Sequence, residues 1–494
     1  MRKNDTNHVP VYSLGQPSKR TGIGMFSMKA TVTAGTGLMF FLLLNMAGAR
    51  RLGIVVLVVA LAAAALVTVS VGGRSLAQQI QLLVQDAVQK WRKENVYLAG
   101  PSSHVPGGRA PLPGVLARTE LLDGYDGHGR PFGIIFERQL HRATVLIRTQ
   151  LSGQTAVTQA ERNQQTAEWD RWLRGLSLSG DVDSMAFVAA SRPGTGDLVA
   201  QEVATLVHED TPEVARQIMW EAGETLSQGV PETDAHMAIT FKVRWDGSDN
   251  YEFISQIGTR LPALYESLVW SGIQAEPMDS AAIVATAHQF YNPDSESDFE
   301  ELSVSGVEHG MQWHECGPLW HEKQRDRYHH NGKTSVTWEM GEAPRSTFED
   351  TILASLVRPH GRIERKRVCL VYRPYEAGSG TRRVEAEHRD ALAAANSSKK
   401  VRSAAADIRL EHTEAARRAQ GKGAQLGRYS LFVTATCDTD EEVKSMRHDV
   451  EQAGSQASIR LRVMRGQQDA GFAFTCGLGQ VPWSKESTVS LSGV

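Results

Sequence analysis

The chain has 494 residues, 41% hydrophobic and 22% charged, with 53 Lys and Arg against 56 Asp and Glu for a formal charge of −3. That length accommodates two or three domains, and the composition is that of a folded protein rather than a disordered one. The near-neutral balance gives no global electrostatic basis for holding nucleic acid.

Two apolar runs open the chain, Thr31 to Ala49 and Leu52 to Val71, with Arg50-Arg51 between them. Each is close to the ~20 residues a helix needs to cross ~30 Å of hydrocarbon, and neither carries a charge. They predict a two-helix transmembrane hairpin over 31–72 behind a tail at 1–30. The second run is the stronger, since its polar groups are hydroxyls that bond back to their own helix. The first holds Gly35, Gly37 and Asn45, so it reads either as a helix packed closely on its partner or as a re-entrant segment. Basic residues crowd both outer flanks (Arg2, Lys3, Lys19, Arg20, Lys29; Arg74, Lys90, Arg92, Lys93), which by the positive-inside rule places both termini in the cytoplasm. A cleaved signal peptide has a shorter apolar core that starts earlier.

Residues 73–110 read as an amphipathic helix, with Leu76, Ile80, Leu83, Val84, Ala87 and Trp91 at helical spacing, and a Pro/Gly-rich linker, "AGPSSHVPGGRAPLPG". The helix suits either a membrane surface, with Trp91 and Tyr97 at headgroup level, or a core. From 111 to 483 the pattern predicts one α+β domain. "FGIIFER" and "ATVLIRTQ" read as paired strands around His141, and Ala156 to Leu176 as a helix bearing Trp169 and Trp172. "MAFVAASR", a helix from Thr211 to Leu226 and "HMAITFKVRW" read as a strand–helix–strand unit. Helices follow through "RLPALYESLVWSG" and "SAAIVATAHQF", then loops from Asn292 to Asn331.

Asn331-Gly332-Lys333-Thr334 resembles the end of a phosphate-binding loop, but Arg327 stands where that loop needs its first glycine, and the residues after Lys333 are strand-like. Asn331-Gly332 is therefore expected to be a hairpin turn. "FEDTILASLV" reads as a helix and "RKRVCLVYRPY" as a strand. Thr381 to Gln425, rich in Ala, Arg and Glu, predicts an exposed helical hairpin broken at Asn396-Ser397-Ser398. A second strand–helix–strand unit runs from "RYSLFVTATC" through a helix capped by Asp438 or Thr439 to "ASIRLRVMRG", and 484–494 reads as a disordered tail.

This closing order, with Gln467-Gln468 and a terminal Leu478-Gly479, resembles the amino-terminal domain of the conjugation and type IV secretion ATPases; "FGIIFERQLHRATVLIRTQ" is similar to that domain's early strands. The chain is similar to integral membrane proteins of actinobacterial conjugation-like secretion loci. It departs from the ATPases in ending where their motor would begin, so no catalytic residue is carried over. The resemblance implies a membrane-anchored structural subunit, not an enzyme and without cofactor. Its partners would be the bilayer, other membrane secretion subunits and an ATPase supplied in trans, with no direct nucleic-acid contact. The alternatives are a type VII secretion membrane subunit and a membrane-bound metal-dependent hydrolase.

The hydrolase alternative rests on "VEHGMQWHECGPLWHEKQRDRYHHNG", where His314, Cys316 and His321 are the candidate metal ligands, although their spacing fits no standard zinc site. Cys316 beside an imidazole is also a candidate nucleophile. Asp123, Asp126 and His128 suggest an ion loop or, more simply, a turn. His141 and His360 are read as structural; the basic runs "RIERKR" and "TRR" could touch nucleic acid, but neither aromatic interleaving nor a net positive charge supports that. Cys316, Cys369, Cys437 and Cys476 form no CxxC pair and are expected to be reduced.

Overall fold

The computed structural model describes residues 28–71, 74–103, 110–150, 157–194, 196–208, 210–226, 231–247, 251–342, 348–375, 377–396, 404–421, 423 and 427–482. Most of the expected N-terminal tail and all of the tail at 484–494 lie outside the described residues. The chain divides into two compact units, with the boundary between Asn95 and Val96.

In the N-terminal unit α1 (Met28–Met46) and α2 (Arg50–Thr68) form an antiparallel pair. Gly37 sits so close to Ala60 that a side chain there would collide with it, and Gly53 lies against Phe41. Thr36 and Thr68 donate their hydroxyls to the carbonyls of Val32 and Ala64, which satisfies them within their own helices. Among the described residues α2, at 19 residues, is the one helix long and apolar enough to cross a membrane; the apolar part of α1, Thr31–Met46, is shorter. The hairpin expected over 31–72 is thus a packed helix pair with one member of spanning length. A small ribbon of β1 (Ser70–Val71) and β2 (Arg74–Ser75) then turns the chain into α3 (Leu76–Trp91), which opens on a Ser75/Gln78 capping box.

The body starts earlier than the expected 111. Its first strand is β3 (Val96–Leu98), and part of the expected linker is packed, since Ala110 and Leu112 are buried and the Tyr97 hydroxyl donates to the Pro111 carbonyl. The first half continues through β4 (Thr119–Tyr125), β5 (Pro131–Glu137), β6 (Arg142–Gln150), α4 (Gln159–Ser179), β7 (Val182–Pro193), α5 (Asp197–Leu206), α6 (Glu213–Leu226), β8 (Pro231–Lys242), α7 (Glu252–Glu266), β9 (Gln274–Pro277) and α8 (Ser280–Tyr291). After α9 (Glu296–Ser305) the second half follows: β10 (Trp320–Lys323), β11 (Tyr328–His330), β12 (Lys333–Glu342), α10 (Ala354–Val357), β13 (Arg365–Pro374), α11 (Ala377–Asn396), α12 (Ala404–Gly421), β14 (Gly427–Cys437), α13 (Val443–Gln456), β15 (Arg460–Val463) and α14 (Gln468–Thr475).

Element for element, the second half repeats the first. Among the described residues all these strands join one antiparallel sheet of thirteen, in the order β3-β10-β11-β12-β14-β13-β7-β8-β6-β5-β4, with β15 beside β12 and β9 beside β6. The halves meet back to back where β7 pairs β13, Met185 to Ser191 against Lys366 to Tyr372. In each half an early strand leaves one edge of β6 or β12, and the late strand β9 or β15 takes its place. The equivalence reaches single hydrogen bonds. Met278 N donates to Leu146 O and Met464 N to Thr337 O, each at 2.9 Å. The hydroxyl pair Thr144/Thr240 at 3.0 Å has its counterpart in Ser335/Thr436 at 2.7 Å.

One face of the sheet buries the apolar sides of α4 and α7 on the first half, around Phe136, Ile147, Trp172 and Leu261. The same face carries α10 and α13 on the second half, around Trp338, Val433 and Val450. The other face is covered by α8, α14 and the residues after it. Each half extends a helix pair from a β-hairpin tip: α5 and α6 where Pro193 faces Pro231, and α11 and α12 where Pro374 faces Gly427.

The α+β class and the strand pair around His141 agree with the sequence reading; α11 ends at Asn396, and Ser397-Ser398 of the expected break lie outside the described residues. Several expectations are corrected. "MAFVAASR" and "HMAITFKVRW" are antiparallel neighbours with two helices at their tip, and the true counterpart of the β14–α13–β15 crossover is β8–α7–β9. The expected loops at 292–331 hold α9, β10 and β11, and "FEDTILASLV" supplies only the four helical residues of α10. Helix α13 starts after Glu442 with no side-chain cap, because Asp438 is drawn to Lys333 and Asp440 to Thr334.

Gln467-Gln468 and "CGLG" have structural roles. Gln468 is fully buried, accepts from Thr337 N and donates to the carbonyls of Thr337 and Met464, which pins α14 to β12 and β15. Gly477 and Gly479 both have positive φ (62° and 85°). They cross onto the first half with no room for a side chain, Gly477 against Val188 and Gly479 against Thr144. Gly479→Ala is therefore expected to cost about 2–4 kcal/mol in urea unfolding. Gly310→Ala, at φ 63° but in open space, is expected to cost about 1 kcal/mol.

Candidate functional site

An open cleft of about 420 Å³ lies between β4, the start of α8 and the segment 308–314; its lining includes Asp123, Ser280, Glu308, His309, Trp313 and His314. Asp123 projects from β4, and Ser280 opens α8 behind Asp279, whose carboxylate caps the helix by accepting from Ala282 N at 2.8 Å. The Ser280 hydroxyl donates to Asp123. His309 accepts from Met311 N through Nδ1 and donates from Nε2 to the Ala281 carbonyl, each at 3.0 Å, so both ring nitrogens are engaged. That leaves His309 no ring nitrogen free to ligate a metal in this arrangement. The Trp313 indole donates to Thr119 Oγ1 at 3.0 Å and closes the floor. The cleft offers carboxylates and a held hydroxyl, the surface of a polar contact site rather than an activated nucleophile.

The three candidate metal ligands are not brought together. His314 stands on the cleft rim beside Glu315, Cys316 is buried, and His321 lies stacked on Tyr97 (5.0 Å between ring centres, 12° between planes) with Tyr328 on its other side. Among the described residues no group of three or more His, Cys, Asp or Glu is arranged to hold a metal ion. Burial pushes the Cys316 thiol well above its ordinary range, the reverse of what a nucleophilic thiolate needs.

The remaining candidates also have structural partners. Asn331 and Gly332 have φ of 42° and 82° between β11 and β12, the turn expected of Asn-Gly. Lys333 Nζ bridges Asp294 at 2.6 Å and Asp438 at 2.8 Å rather than facing a phosphate cradle. Asp126 accepts from the backbone N of His128 and of Arg130 and from the Tyr265 hydroxyl. Burial raises its carboxyl, but those three bonds outweigh burial and hold it below the usual range, as in a structural turn. The His141 carbonyl accepts from Val243 N, and His360 Nδ1 accepts from Arg362 N.

In the run "RIERKR" Arg362 and Glu364 are exposed, while the last three residues turn inward. Arg365 pairs with Glu296 at 2.9 Å, Lys366 Nζ donates to the Arg358 carbonyl at 2.7 Å, and the buried Arg367 lies between the rings of Phe290 (4.5 Å) and Phe472 (4.3 Å). Phe290 belongs to α8 and Phe472 to α14, so the equivalent helices of the two halves clamp one cation. Nearby, Arg192 binds Glu232 and Glu300, each at 2.7 Å, and Asp234 at 3.1 Å, fastening α9 to the tips of β7 and β8. Ser280 and Glu308 in the cleft escaped the sequence reading; the one signal available was the Asp279-Ser280 pair ahead of an apolar helix.

No family model matches the chain, and no curated protein matches it.

The four cysteines are all buried, so a thiol reagent is expected to modify none of them in the native protein and all four in denaturant; prompt labelling of Cys316 would reinstate it as a reactive thiol. The imidazoles of His236, His321 and His330 are lowered by burial to about 4, about 4 and about 3. The unfolded chain binds those protons near 6.5 and the folded chain does not, so stability is full above that pH and is lost as pH falls from 6.5 toward 4. Glu232 and Glu296, whose carboxyls burial raises, oppose the trend in part. The urea midpoint is expected to be markedly lower at pH 5 than at pH 7, with the same slope.

Proposed function

We propose that the chain is a membrane-anchored structural subunit of a conjugation-like (type IV-like) secretion apparatus, which docks a separate ATPase and performs no catalysis of its own. The observation that carries the reading is α2: 19 residues that expose Leu52, Ile54, Val55, Val58, Val59 and Leu61. Water tolerates no such column of aliphatic side chains, and 19 residues at ~1.5 Å each nearly match the hydrocarbon thickness. The close seam at Gly37/Ala60 supports α1 entering the bilayer with α2, and the flanking basic residues support both termini in the cytoplasm with the turn at 47–49 outside.

Docking is assigned to the α11–α12 pair, which exposes Leu392 and Ile408 and stands on a hairpin tip closed by the Pro374/Gly427 pair. A short Asn-Gly turn can join β13 and β14 in its place without altering the sheet.

Alkaline carbonate extraction of native membranes tests the anchor. The protein is expected in the pellet, and the Val55→Arg/Val59→Arg variant in the supernatant. The variant carrying an Asn-Gly turn in place of the helix pair is expected to remain in the pellet but to lose the ATPase that copurifies with the intact protein. Wild-type protein extracted into the supernatant would overturn the anchor, and copurification with neither an ATPase nor secretion subunits would overturn the docking role.

A further inference from the structure

We propose that α3 is a second, in-plane membrane contact: it lies in the headgroup region of the bilayer that α2 crosses, with its apolar stripe toward the acyl chains. This rests on the anchor reading and adds to it the position of the chain at its exit from the membrane.

At 100° per residue Leu76, Ala77, Ile80, Leu83, Val84, Ala87, Val88 and Trp91 fall within an arc of roughly 140°. The opposite arc holds Gln78, Gln79, Gln81, Gln85, Asp86, Gln89 and Lys90, with Leu82 its single apolar member. An amphipathic helix this regular ordinarily buries its stripe. Here none of its residues is buried: Ile80 is 48% exposed, Val84 57% and Trp91 83%.

The occupant follows from where the helix begins. The ribbon of β1 and β2 doubles the chain back at the end of α2, and Leu76 N donates to the Val69 carbonyl at 3.0 Å, so the first turn of α3 is tied to the residue just beyond Thr68. If α2 spans, that point is the bilayer surface, and a helix leaving it with an uncovered apolar side meets lipid before anything else. The Ser75/Gln78 capping box satisfies the helix start without any partner. The polar arc is chemically unsuited to acyl chains: its charges are Asp86 and Lys90, paired with each other at 3.2 Å with Asp86 12% exposed, and apart from Leu82 the remainder is glutamine. Arg92 and Lys93 close the helix with Trp91, a basic and aromatic end of the kind that seats at headgroups. The chemistry selects a phospholipid surface without demanding an anionic one.

The test is depth measurement on the full chain in zwitterionic phosphatidylcholine nanodiscs. The four native cysteines are buried, so a nitroxide can be attached to single substitutions Ile80→Cys, Val84→Cys and Val88→Cys on the stripe. Gln81→Cys, Gln85→Cys and Gln89→Cys mark the opposite arc, and Val59→Cys the middle of α2. The expected result is preferential collision with oxygen at Ile80, Val84 and Val88, preferential collision with a water-soluble nickel chelate at the glutamines, and the deepest signal at Val59. Equal nickel access on both arcs, with Val59 deep, overturns the α3 proposal and leaves the anchor standing. Stripe labels shielded from both reagents mean that protein covers α3, and overturn it too. Nickel access at Val59 removes the anchor, and this proposal with it.

Discussion

The pairing of β7 with β13 is the constraint on which the body depends. Seven consecutive residues of each strand are in register, Met185 to Ser191 against Lys366 to Tyr372, and this is where two halves of like construction become one sheet. A sheet edge left open there would be a row of unpaired N–H and C=O groups. Back-to-back pairing removes both edges at once, and the antiparallel geometry sends the two helix pairs to opposite ends of the sheet. The helix covers reinforce the joint: Arg367 sits between rings supplied by α8 and α14, and Gly477 and Gly479 carry the chain after α14 onto β6, β7 and β8.

That arrangement explains where polar groups are tolerated. The face beneath α8 and α14 carries hydroxyls and imidazoles among its apolar residues, and several of them are answered across the two halves. His330 donates from Nδ1 to the Tyr291 carbonyl and accepts from Ser335, and His236 donates to the Cys476 carbonyl. Such networks specify one register, because a slip of one residue would strand every member without a partner. His330 and His236 thereby hold the two halves in alignment.

How much of this was legible depended on whether the buried side was apolar. β5, β6, β13 and β14 could be read from runs such as "FGIIFER" and "SLFVTAT", and α11 and α12 from their alanine content. β10 and β11 could not, since their inward residues are His321, Tyr328 and His330, which resemble a loop until their hydrogen bonds are known. β3 was hidden by its three-residue length. The repeat was invisible because equivalent positions share a role and seldom a residue: Thr144 with Ser335, Leu146 with Thr337. In the candidate cleft His314 and Asp123 were in view from the sequence, but only the fold brings Ser280 and Glu308 beside them. The basic run at Arg365 to Arg367 suggested a surface, and its burial depends on one carboxylate, one carbonyl and two aromatic rings distant in sequence.

The central claim is that the helix pair anchors a cytoplasmic body to the bilayer, and sidedness tests it most directly. Single cysteines at Ala49, in the turn between α1 and α2, and at Gln159, at the start of α4, would be treated in intact cells with a membrane-impermeant maleimide. The account predicts labelling of Ala49→Cys from outside, and of Gln159→Cys only after permeabilisation. Labelling of Gln159→Cys in intact cells, or an Ala49→Cys site that reacts only once the membrane is opened, would contradict it.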